Sequence, residues 1–114
     1  MLSRLDLRGV QVSIAEVLRE IEVLLPRGHP SIDRAAEALS ISRRTLQRRL
    51  NEAGVTYGQL VDQCRLDVAC KLLEDSKIRL RDVASELGYA DPSSFSRFFV
   101  RSMGRTPRAY RRER

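Results

Sequence analysis

The chain has 114 residues, 42% hydrophobic and 32% charged, with a formal net charge of +6. That length suits one domain or two very small ones and leaves little room for an enclosed active site. No apolar run reaches transmembrane length, and the N-terminal MLSRLDLRGVQVS lacks the apolar stretch of a signal peptide, so a cytoplasmic location without a membrane partner is the expectation.

Residues 1–10 read as a tail or linker ending at Gly9, and no segment reads as a strand of period two. A first helix is expected over about 12–25, with Ile14, Val17, Leu18, Ile21 and Leu25 on one face. Pro26, Gly28 and Pro30 break it. Ser31 is a good N-cap, and Ile32, Ala35, Ala36 and Leu39 behind it give the stripe of a short helix. Ser40 and Ile41 form a tight turn. Ser42 then caps a helix over about 43–53 that turns Leu46, Leu50 and Ala53 inward, with Gly54 ending it. A longer helix over about 57–74 carries Tyr57, Leu60, Val61, Cys64, Val68, Leu72 and Leu73. At ~1.5 Å per residue it spans about 27 Å.

The pattern then repeats at an offset of 48–50 residues. Leu80, Val83, Ala84 and Leu87 reproduce the first short helix, and Gly88, Tyr89 and Ala90 make the turn. Asp91 is an N-cap with Pro92 at the first helical position. Phe95, Phe98, Phe99 and Ser102 face inward, Gly104 ends the helix, and Thr106 and Pro107 start a last one holding Tyr110. The expected fold is all-α, with seven helices in total. Two helix-turn-helix lobes of about three helices each, 11–56 and 76–114, are joined by a central linker helix at 57–75.

The positive charge is segregated. Residues 41–49 hold four Arg and no acid, and residues 92–114 hold seven Arg and one Glu. Two separated clusters suit two contacts on a polyanion better than they suit general solubility. Placing residues about 100° apart puts Arg44, Gln47, Arg48 and Asn51 on one outward stripe. In the second copy the stripe is Ser93, Ser96, Arg97 and Arg101. Arg forks onto guanine, Gln or Asn onto adenine and Ser onto either, and neither stripe carries a carboxylate that would repel phosphate. A helical interaction module with an acidic partner is the alternative reading. Catalysis finds no paired carboxylates and no nucleophile beside a base. Cys64 and Cys70 point apart on one helix and read as small buried hydrophobes. With His29 the only histidine, neither a metal site nor a cofactor is expected.

Residues 31–112 resemble the DNA-binding domain of the AraC/XylS family of bacterial transcriptional regulators. The stretch IDRAAEALSISRRTLQRRLNEAGVTYGQLV resembles the family's first helix-turn-helix, and IRLRDVASELGYADPSSFSRFFVRSMGRTPRAYR its more uniform second signature. The resemblance implies two recognition helices that read successive major grooves of double-stranded DNA. Its base-reading positions fall on Arg43, Arg44, Gln47 and Arg48, and on Pro92, Ser93, Ser94 and Arg97. Phosphate contacts are expected from Ser31, Ser42, Arg49, Ser96, Arg101, Thr106, Arg108 and Arg112. The implied protein partners are RNA polymerase and, in longer members, an N-terminal effector-sensing domain. Two departures stand out. Ser40 occupies a turn position where Gly or Asn accepts a positive φ more easily. The short Pro-Ser-Ser start of the second recognition helix assigns more base specificity to the first lobe.

Overall fold

The computed structural model describes residues 4–7 and 10–113. The expected tail therefore lies partly outside the described residues, as does Arg114 at the end of the terminal RRER. Where the tail is described it is a correction to the sequence reading. Strand β1 (Arg4–Leu7) pairs antiparallel with β2 (Val10–Ser13), in a register that sets Leu5 opposite Val12 and Leu7 opposite Val10. Seven helices follow among the described residues: α1 (Ile14–Leu24), α2 (Ile32–Ala38), α3 (Arg43–Glu52), α4 (Tyr57–Leu73), α5 (Leu80–Glu86), α6 (Pro92–Met103) and α7 (Pro107–Glu113). The chain divides into two compact units, Met1–Leu24 with Pro30–Cys64 and Leu25–His29 with Arg65–Arg114.

In the first unit, α1 starts two residues later than the apolar period alone suggests. Ser13 and Glu16 form a reciprocal capping box there: the Ser13 N–H donates to Glu16 Oε1 at 2.8 Å, and the Glu16 N–H to Ser13 Oγ at 3.1 Å. Val12 is thereby left in the strand, where it is buried. Val17 and Ile21 of α1, Ala35 and Ala36 of α2, Leu46 and Leu50 of α3, and Leu60, Val61 and Cys64 of α4 supply the buried apolar surface. Each of the large ones contributes about 1.5–3 kcal/mol on burial. Thr56 and Gln59 form a second capping box at the start of α4. At the first residue of α4, the Tyr57 hydroxyl donates to the Pro30 carbonyl at 3.1 Å. Burial pushes that hydroxyl up to about 12, with the nearby Cys64 adding to the shift.

The second unit repeats the plan with aromatic filling. Val83, Ala84 and Leu87 are buried, as are Phe95, Phe98 and Phe99 of α6 and Ala69 and Leu73 of α4. Phe95 and Phe99 pack with ring centres 5.7 Å apart, and Tyr110 meets Phe99 edge-on at 5.6 Å. Arg111 of α7 donates from Nε to the Leu73 carbonyl at 2.9 Å and from Nη2 to the Asp75 carbonyl at 3.1 Å. A guanidinium there satisfies orphan carbonyls and complements the negative end of α4. Leu25, at the start of a 3-10 turn over Leu25–Arg27, is buried in this unit.

The tight turns of the two lobes agree bond for bond. Ser40 N–H donates to the Glu37 carbonyl and Ile41 N–H to the Ala36 carbonyl, both at 3.0 Å. Forty-eight residues on, Gly88 N–H donates to Ser85 and Tyr89 N–H to Ala84, again both at 3.0 Å. Leu39 and Leu87 precede them with φ, ψ of −92°, 1° and −93°, 3°. Each is a Schellman end, which requires a left-handed residue just past the helix. Ser40 takes that conformation with φ 61°, and Gly88 with φ 84°.

Candidate nucleic-acid interface

A serine cap organises helix α3. Ser42 Oγ accepts from the Thr45 N–H at 3.0 Å and pairs with Thr45 Oγ1 at 2.9 Å. Leu46 and Leu50 anchor the inner side, which leaves Arg43, Arg44, Gln47, Arg48 and Asn51 exposed. Ala53, expected to face inward, is exposed, because α3 ends at Glu52 and Ala53 is its C-cap. Arg43 approaches Asp33 of α2 at 3.7 Å, a surface pair with both side chains more than half exposed and little stabilising power. Arg49 differs from its neighbours. It is half-buried and ion-paired to Glu52 at 3.2 Å, so its charge is already balanced.

In the second lobe Asp91 caps α6, accepting from the Ser94 N–H at 2.8 Å, and Pro92 fills the first helical position. That N–H holds the Asp91 carboxyl below its ordinary range, with the Ser94 hydroxyl and the charge of Arg97 adding to the effect. Pro92, Ser93, Arg97 and Arg101 are exposed, while Ser94 and Ser96 are half-buried. Ser102, expected inward, is exposed. Aligning the two helices on their caps, Ser42 with Asp91, sets Arg44 against Ser93, Gln47 against Ser96, Arg48 against Arg97 and Asn51 against Val100. Val100 is 40% exposed, an apolar member of the outward stripe that periodicity by itself passes over.

Beside α6 lies a feature the sequence reading missed. An open groove of about 880 Å³ is lined by Arg79, Arg81, Arg97 and Arg108 together with Leu80, Pro92, Ser93, Phe95 and Ser96. Four arginines and no carboxylate line this groove, which gives it the charge and the forked donors that suit an anion. Arg79 and Arg81 belong to the run IRLRD, whose two arginines flank an apolar position at the start of α5. The remaining expected phosphate contacts sit at helix starts or on exposed faces. Ser31 and Thr106 accept from the Arg34 and Ala109 N–H groups as caps, and Arg108 and Arg112 are exposed on α7.

Two helix-turn-helix units with matched turns, capped recognition helices and polar, arginine-bearing outer faces define a double helix-turn-helix protein. Residues 35–113 match a family described as a helix-turn-helix domain. The ornithine utilization regulator of Pseudomonas aeruginosa is 33% identical over 111 residues, covering 97% of this chain and 32% of that protein. A DNA-binding transcriptional dual regulator from Escherichia coli K-12 superposes with a TM-score of 0.80 at 27% identity, covering 87% of this chain and 88% of the other. The DNA-binding domain of AdpA, solved with a target DNA, gives a TM-score of 0.70 at 30% identity, covering 87% and 89%. The chain belongs to the AraC/XylS family of helix-turn-helix regulators. Family membership, rather than any missing pocket, sets aside an enzymatic role. The chain spans about a third of the length of the first relatives it matches.

Proposed function

We propose that the chain binds double-stranded DNA by sequence and regulates transcription, with α3 and α6 each entering a major groove and the two grooves lying one helical turn apart. The observation that carries this reading is the repeated recognition helix. In both lobes the same turn delivers a capped helix with an apolar inner side and an outer stripe free of carboxylates. Arg43, Arg44, Gln47 and Arg48 supply base contacts from the first lobe, and Ser93 and Arg97 supply them from the second. Backbone contacts come from Ser31, Ser42, Ser96, Arg101, Thr106, Arg108 and Arg112, joined by Arg79 and Arg81. Arg49 is the weakest candidate because of its pairing with Glu52.

The reading extends to a cytoplasmic, nucleoid-associated location and to RNA polymerase as a protein partner. It also includes functional coupling to an effector-sensing domain of the kind that longer family members carry. The relatives lend no support to an interaction module with an acidic partner.

Selection of bound duplexes from a random pool tests the proposal. The expected product is a consensus with two half-sites about 10–10.5 base pairs apart, centre to centre. Binding should weaken steeply with salt as counterions are released. A pool that stays random after repeated rounds would reject sequence-specific recognition.

A further inference from the structure

Asp91 is an acid at the edge of a face otherwise built to meet phosphate. A serine would cap α6 as Ser42 caps α3, without the repulsion. The difference between the two caps lies in what each does to the next hydroxyl along the helix. Ser42 and Thr45 pair hydroxyl to hydroxyl at 2.9 Å, and either oxygen can supply the proton. A carboxylate only accepts. Asp91 Oδ1 takes the Ser94 N–H at 2.8 Å, and Asp91 Oδ2 takes the Ser94 hydroxyl proton at 3.4 Å. The Ser94 hydroxyl is thereby fixed as a donor to Asp91, which leaves its oxygen to accept. Arg97 Nη2 donates to Ser94 Oγ at 3.3 Å.

On these contacts, which rest on reading α6 as a recognition helix, we propose that Asp91 and Ser94 are positioning residues that hold the Arg97 guanidinium for base reading. Ser94 is then not itself a base contact. An arginine loses considerable rotamer freedom when it forks onto a guanine. A guanidinium already tethered through one nitrogen has less left to lose, and it keeps its other donors free. Arg48, at the matching place in the first lobe, sits one turn beyond a hydroxyl whose direction the Ser42 cap leaves open.

The test uses the full 114-residue chain and the duplex that wild-type protein selects from a random pool, with all four bases placed in turn at the pair that Arg97→Ala relaxes. Ser94→Ala should lower discrimination at that same pair by roughly three- to tenfold, the size of coupling within one hydrogen-bond network. It should add nothing when combined with Arg97→Ala. Ser94→Thr, which keeps the hydroxyl, should restore discrimination. Asp91→Ser keeps a helix cap but copies the first lobe, and should lose discrimination to the same extent while thermal unfolding shows the fold retained. A purely structural cap would instead weaken every duplex alike. The proposal is overturned by additive losses from Ser94→Ala and Arg97→Ala, by an effect of Ser94→Ala at a different base pair, or by full discrimination in Asp91→Ser. A wild-type protein that selects no sequence would reject the proposed function itself, a separate outcome.

Discussion

The two lobes solve one backbone problem with different residues. Both turns need a left-handed residue after a Leu C-cap, and both make the same two hydrogen bonds. In the first lobe Ser40 is exposed, so a side chain costs only the strain of its φ. In the second lobe a Cβ on Gly88 would run into the Leu25 carbonyl oxygen and lie 2.8 Å from the Gly28 carbonyl oxygen. The glycine is thus required by close approach as well as by φ. A conformational preference tolerates substitution, whereas a backbone contact does not.

Swapping the turn residues sharpens that contrast. Gly88→Ser should destabilise the second unit by about 3 kcal/mol or more, because strain and a clash with backbone add. Chemical denaturation would measure it, and a loss below about 1 kcal/mol would remove the steric part of the explanation. The recognition faces differ too. Arg48→Ala should cost ~1–3 kcal/mol of DNA affinity and relax base preference in one half-site. Arg112→Ala should weaken all sequences alike and shallow the salt dependence by about one unit of slope. Equal half-site preferences for wild type and Arg48→Ala would count against the first assignment. Ser40→Gly should stabilise the protein by about 1 kcal/mol as the strain is relieved. The smallest effect concerns Tyr57. Its folded hydroxyl titrates near 12 against 10.0 for the free side chain, so the neutral form favours folding. That contribution is complete below pH 10 and is lost as the pH rises towards 12. Tyr57→Phe should flatten this alkaline decline in unfolding curves.

Much of the fold is legible in the residues themselves. Ser31, Ser42, Asp91 and Pro92 announce helix starts, and Leu46, Leu50, Phe95 and Phe99 carry the inward period. The hairpin is not, because two four-residue strands give too few alternations to separate a strand from a tail. The Ser13–Glu16 capping box is present in the sequence, but apolar period alone sets the helix start ahead of it, at Val12. Among site residues, Val100 was hidden by its apolarity, and aligning the two caps reveals it. Ser94 enters as a base contact through the family resemblance, which gives a position and says nothing of the engagement of its hydroxyl by Asp91 and Arg97. Arg79 and Arg81 escaped because they lie before the recognition helix and join it only through a groove.

Hydroxyl-radical footprinting of the selected duplex, with wild type, Arg48→Ala and Arg97→Ala in parallel, tests the double reading most directly. Two protected stretches about one helical turn apart are expected, with base preference relaxed in one by the first substitution and in the other by the second. A single protected stretch, or both substitutions relaxing the same bases, would contradict it.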